Sequence, residues 1–188
     1  MTISMMTVIV TNEITRDKIL DLEPRGIILS GGPASAYDET APRVDEAIFD
    51  LGIPILGICY GLQLAIEHFG GEVVASNTRE YGRTRCTHKP HKLFEGLPEQ
   101  SHVWMSHGDC VEDTNDAFDT LAHTKDTRHA AVAHKSKPII GVQFHPEVTH
   151  TEYGTRVLRN FCRGICGCQD VWKMSSFIDT AVEKIRLQ

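Results

Sequence analysis

Ile53-Pro54-Ile55-Leu56-Gly57-Ile58 is apolar at every position over the length of one strand. A strand with one wet face alternates apolar and polar residues. An unbroken run therefore belongs to a strand covered on both faces, as in parallel sheets flanked by helices. The surrounding pattern agrees. Gly26-Ile27-Ile28-Leu29 reads as an earlier short strand, and Thr7-Val8-Ile9-Val10 as one before that. Thr15 is placed to cap a brief helix through Leu20. Pro42 is placed to open a second helix, with Val44, Ile48 and Leu51 on one face. A third is expected from Tyr60 to Phe69, closed by Gly70-Gly71. This βαβαβα order predicts a three-layer α/β fold with right-handed crossovers. Downstream, strands are expected around Val73, Val103, Leu121, Val132 and from Ile139 to Phe144, followed by a helix over Tyr153 to Cys162. The His- and Thr-rich middle is expected to add antiparallel strands.

Composition removes several classes of function. A formal charge of −6 argues against nucleic-acid binding, which needs clustered Lys and Arg to neutralise phosphates. No apolar run approaches the roughly 18 residues of a membrane helix. Six cysteines with no secretory leader before them read as thiols in a reducing compartment, the cytoplasm.

One of those cysteines stands apart. Gly57-Ile58-Cys59-Tyr60-Gly61 joins the buried strand to a helix and has the form Gly-x-Cys-x-Gly, the thiol counterpart of the hydrolase nucleophile elbow. Glycines permit a tight turn that lifts the side chain above the sheet. The following helix N-terminus carries partial positive charge that favours a thiolate, and the backbone N–H after Cys59 is free to hold an oxyanion. A base is offered by Gly141-Val142-Gln143-Phe144-His145-Pro146-Glu147. In an extended segment residues i and i+2 point to the same side, roughly 6.5 Å apart, and Pro146 enforces extension at His145. Glu147 can thus orient the His145 imidazole toward Cys59, giving nucleophile, base and orienter. In Ser30-Gly31-Gly32-Pro33, either glycine N–H is placed to complete an oxyanion hole. His88-Lys89-Pro90-His91 and Cys166-Gly167-Cys168 do not supply four ligands at zinc spacing, so no metal is expected. His102 and His107 read as strand-end residues.

Gly31-Gly32-Pro33, Gly57 through Gln63 and His145-Pro146-Glu147 resemble the three signatures of the class I, triad-type glutamine amidotransferases. Ile27 through Ser35, Arg79-Glu80-Tyr81-Gly82-Arg83, Val103 through Asp109, Gly141 through Thr149 and Ile165-Cys166-Gly167-Cys168 narrow the likeness to the amidotransferase domain of the GMP synthase family. The resemblance implies a flavodoxin-like, mostly parallel sheet with added antiparallel strands. It implies hydrolysis of glutamine to glutamate and ammonia, delivered to an ATP-pyrophosphatase synthetase that converts XMP to GMP. It implies that Gly31, Gly32 and Tyr60 serve the oxyanion, through the Gly32 and Tyr60 N–H groups. By the same token Gln63, Ser106, His107, Gly108 and Asp109 would hold glutamine. No cofactor is implied for this chain; ATP and magnesium belong to the synthetase. An amidotransferase of another pathway, such as anthranilate synthase, and an inactive regulatory form are the alternatives.

Two departures accompany the resemblance. The family opens with a strand and helix carrying Asp-Phe-Gly-Ser-Gln, upstream of the strand matching Thr7 to Val10, and this segment is not found here. A gap in the sheet or a rearranged N-terminus is therefore expected. At the other end no Ser-Gly-Gly-Val-Asp-Ser loop is present. Residues 1–168 are expected to form the amidotransferase domain, and 169–188 a linker plus the first helix of a synthetase domain, with Ser175 capping a stripe of Phe177, Ile178, Ala181, Val182 and Ile185.

Overall fold

The computed structural model describes residues 7–36, 38 and 40–169; the expected helix after Ser175 lies outside them. Seven strands form one sheet in the order β1-β2-β7-β6-β5-β3-β4. The strands are β1 (Ile27–Leu29), β2 (Ile55–Ile58), β3 (Glu72–His88), β4 (Gln100–Asp113), β5 (Phe118–His123), β6 (Ala131–His134) and β7 (Ile139–Val142). β2 lies parallel between β1 and β7, with Leu56 opposite Ile28 on one side and Ile140 on the other. From β7 outward every pairing is antiparallel. The sheet is thus mixed, with a parallel core of three strands.

All four residues of β2 and of β7 are buried, as their unbroken apolar runs require. Alternate side chains feed two cores. Leu56, Ile58, Ile140 and Val142 pack with Phe94, Phe144 and Phe161 on one face. Ile55 and Ile139 pack with Ile48, Phe49, Leu62 and Ile66 on the other. Each large apolar side chain so enclosed contributes roughly 1.5–3 kcal/mol. Helix α1 (Arg16–Asp21) and helix α2 (Tyr60–His68) cover the second face, and α3 (Gly154–Arg159) the first. The result is the three-layer α/β arrangement.

Four local expectations need correction. Thr7 to Val10 form no strand, and Ile9 is 94% exposed. A β run is stable only beside a neighbour, and among the described residues β1 pairs with β2 alone. The helix expected after Pro42 shrinks to a 3-10 turn, Glu46–Asp50. Asp45 caps it by accepting from the Ala47 N–H, and Gly52 at φ +70° ends the segment too soon for an α-helix. The late helix widens after Arg159 into a π turn, Asn160–Ile165, closed by Cys166 N–H donating to the Phe161 carbonyl. His102 and His107 sit within β4 rather than at strand ends. All six cysteines are free thiols. No helix among the described residues is long and apolar enough to cross a membrane.

Candidate active site

The parallel strands carry their loops to one edge, the usual place for a ligand crevice in α/β sheets. Ser30 to Pro33 follows β1, Cys59 follows β2 and His145 lies just past β7. Cys59 adopts φ +49° and ψ −103°, a conformation that a non-glycine residue keeps only when its surroundings enforce it. Its N–H donates to the Val142 carbonyl at 2.7 Å, and its own carbonyl accepts from the Gln63 N–H at 3.2 Å. The flanking glycines permit the close approach behind this turn. A Cβ on Gly57 would meet the backbone of Gly61 and Leu62 at 2.6 Å, and one on Gly61 would strike the Leu29 backbone. The elbow thus locks β2 and α2 against β1.

His145 is held from outside the parallel core. Its N–H donates to the Trp104 carbonyl on β4 at 3.0 Å, and its carbonyl accepts from the Thr151 hydroxyl. Its Nδ1 lies 2.7 Å from Glu147 Oε1, as the i, i+2 geometry predicts. Contact with the Cys59 thiol, then with the Glu147 carboxylate, pushes the His145 pKa up to about 10 against the opposing effect of burial. Burial resists charge on Glu147, but the bond from His145 and its own backbone N–H hold its pKa below the ordinary value. The three side chains form a relay that joins a thiol, a proton-holding imidazole and a carboxylate.

A cleft of about 480 Å³ opens over Cys59 and His145. Gly32 and Gln63 border it near the thiol, and Ser106, His107, Gly108 and Asp109 line it from β4. Gln63 Nε2 and His107 Nδ1 both donate to the Asp109 carbonyl, at 3.4 and 2.9 Å. Gly31 lies behind the cleft, where a Cβ would come within 3.0 Å of His145 Cε1. Tyr60 is buried beneath Gly32, its hydroxyl donating to the Pro42 carbonyl. Every residue singled out from the sequence therefore lies in or against this one cleft.

Sequence reasoning missed others. Pro33, Ala34 and Tyr81 also line the cleft, with the Tyr81 ring exposed. Gln143 is fully buried with Nε2 3.5 Å from Cys59 Sγ. It had a signal: it is the one polar residue in the run from Ile139 to Phe144. Glu80 is buried behind His107, and only long-range pairing reveals it.

The model of the glutamine amidotransferase class-I family matches residues 1–165. GMP synthase [glutamine-hydrolyzing] of Staphylococcus saprophyticus is 50% identical over 177 residues, 94% of this chain, and its counterpart in Staphylococcus carnosus is equally similar. The chain spans 34% of the length of these relatives. Among solved structures, a GMP synthase subunit from Thermoplasma acidophilum superposes with a TM-score of 0.75 at 36% identity, covering 84% of this chain and 79% of that one. A glutamine amidotransferase of Thermotoga maritima, 23% identical at a TM-score of 0.60, shares the fold. The chain belongs to the class-I glutamine amidotransferase family and corresponds to the amidotransferase region of GMP synthase.

Proposed function

We propose that this chain hydrolyses glutamine to glutamate and ammonia with Cys59 as nucleophile, His145 as proton carrier and Glu147 as orienter. The observation that carries the reading is Cys59 at φ +49° on a helix N-terminus, touching an imidazole whose far nitrogen is 2.7 Å from a carboxylate. In the first half-reaction the Cys59 thiolate attacks the carboxamide carbon. The resulting oxyanion is held by the backbone N–H groups of Gly32 and Tyr60, and His145 gives its proton to the departing nitrogen, releasing ammonia and leaving a γ-glutamyl thioester. In the second, His145 takes a proton from water, which attacks the thioester. Collapse expels the thiolate and releases glutamate. Gln63 and the Ser106 to Asp109 wall hold the amino-acid end of the substrate.

The relatives named as GMP synthases support a further step. Ammonia passes to an ATP-dependent synthetase, joined to this region or separate from it, that converts XMP to GMP in the cytoplasm. Coupling to that partner makes glutaminase activity of the isolated chain low. The test is covalent labelling with a glutamine-derived chloromethyl ketone, followed by peptide mapping. Labelling confined to Cys59 and abolished by Cys59→Ala supports the reading; labelling that survives Cys59→Ala overturns it.

A further inference from the structure

Glu80 begins a stretch of the chain that the reaction above leaves unused. Strand β3 pairs Ala75 with Asp109 and next pairs Glu80 with His107, so residues 76–79 bulge opposite Gly108. The bulge faces the cleft wall, and Glu80 is where regular pairing resumes. Its carboxylate is 7% exposed. Oε2 accepts from the Thr127 hydroxyl at 2.6 Å and the Thr124 hydroxyl at 3.2 Å, both in the loop between β5 and β6. His107 Nε2 stands 3.7 Å from the same oxygen, within ion-pair reach. The opposite ring nitrogen donates to the Asp109 carbonyl, which also takes the Gln63 amide. Glu80 Oε1 and His107 Nε2 are both fully enclosed with no hydrogen bond, so nothing but their mutual charge complementarity repays their burial.

This arrangement ties the cleft wall to a fixed post. With the carboxamide at Cys59, the α-amino and α-carboxylate groups of glutamine must meet the Ser106 to Asp109 wall, whose carbonyl at Asp109 is aimed by His107. We infer that Glu80 is a positioning residue, acting through His107 to set this wall for the amino-acid end of the substrate. The inference rests on the glutamine reading of the site. Its consequence is specific: loss of the Glu80 charge weakens recognition of the amino-acid end and leaves the reactivity of the thiol alone.

The experiment compares two reagents on the full chain below its melting temperature. One is a glutamine-derived chloromethyl ketone, which needs the wall; the other is iodoacetamide, which lacks the amino-acid end. In Glu80→Gln, labelling of Cys59 by the ketone should slow about tenfold while iodoacetamide labelling stays within twofold. The glutaminase KM should rise in parallel, with kcat within threefold. Thr127→Val, which keeps the carboxylate but removes its shortest bond, should move the ketone rate the same way by less. Equal effects on both reagents, or no effect in either variant, overturn the inference. If the wild-type chain does not prefer the ketone at all, the glutamine reading falls first and this inference with it.

Discussion

Gln143 directs its side-chain nitrogen at the sulfur of Cys59 across 3.5 Å, with both side chains buried. A donor beside a developing thiolate contributes roughly 1.5–3 kcal/mol when the acceptor is charged. Its carbonyl oxygen, also buried, has no hydrogen bond. Gln143→Met keeps the volume and removes both polar atoms. It should lower kcat by about ten- to a hundredfold, with the melting temperature unchanged or higher. An unchanged kcat would show that the amide does not serve the sulfur.

Glu147 is within 2.7 Å of His145, on the side of the ring away from Cys59. Glu147→Gln keeps the shape but not the charge, so the imidazole holds its proton less firmly and is oriented less strictly. Turnover should fall at least tenfold, while KM for glutamine changes by less than threefold, since an orienter acts mainly in the transition state. A large rise in KM with intact kcat would place Glu147 in substrate binding instead.

Acid should undo the post behind the cleft. Burial opposes the Glu80 charge, but His107, Thr127, Thr84 and Thr124 hold its pKa down to about 2, against about 4.3 in an unfolded chain. A carboxyl with a depressed folded pKa stabilises above its unfolded value and loses that contribution as pH falls through the folded value. The gap in melting temperature between wild type and Glu80→Gln should therefore stay level from pH 7 to 5 and close toward pH 2. A gap independent of pH would mean the carboxylate charge is not its source.

At the opposite border of the sheet, Ile28 on β1 is 45% exposed, and Val8, Ile9 and Val10 lie in the open. Apolar side chains beside an unpaired strand edge favour association between chains. Ile9→Lys should reduce concentration-dependent association, measured by light scattering, and leave the melting temperature within two degrees or so, because a 94% exposed side chain makes little contact to lose. Undiminished association would locate the sticky surface elsewhere.

What the residues disclose in advance is decided by the range of the interaction. The runs of β2 and β7 announce burial on both faces because each position meets a neighbour whatever the partner. The Cys59 elbow and the His145-Pro146-Glu147 spacing are likewise local geometry. Thr7 to Val10 has the same β-forming composition and forms no strand, because strand formation depends on an adjacent strand. Pro42 offers a helix start that Asp45 and Gly52 override within a few residues. Glu80 meets His107 only through the register jump between β3 and β4, which depends on where two long strands slip past each other. Gln143 alone was visible in principle, as an amide set among aliphatic neighbours.

The placement of β2 directly against β7 has a consequence during synthesis. Gln143 follows Cys59 by 84 residues, and ribosomes add roughly 5–20 residues per second. The elbow thus leaves the exit tunnel about 4–17 s before the strand that closes over it. Through that interval the most apolar strand of the molecule has one finished neighbour at best, and the reactive sulfur has neither its imidazole nor its amide. A nascent chain stalled between Ile58 and Ile139 is the form most exposed to oxidation and to capture by chaperones, and the thiol acquires its partners only when the last strand of the sheet arrives.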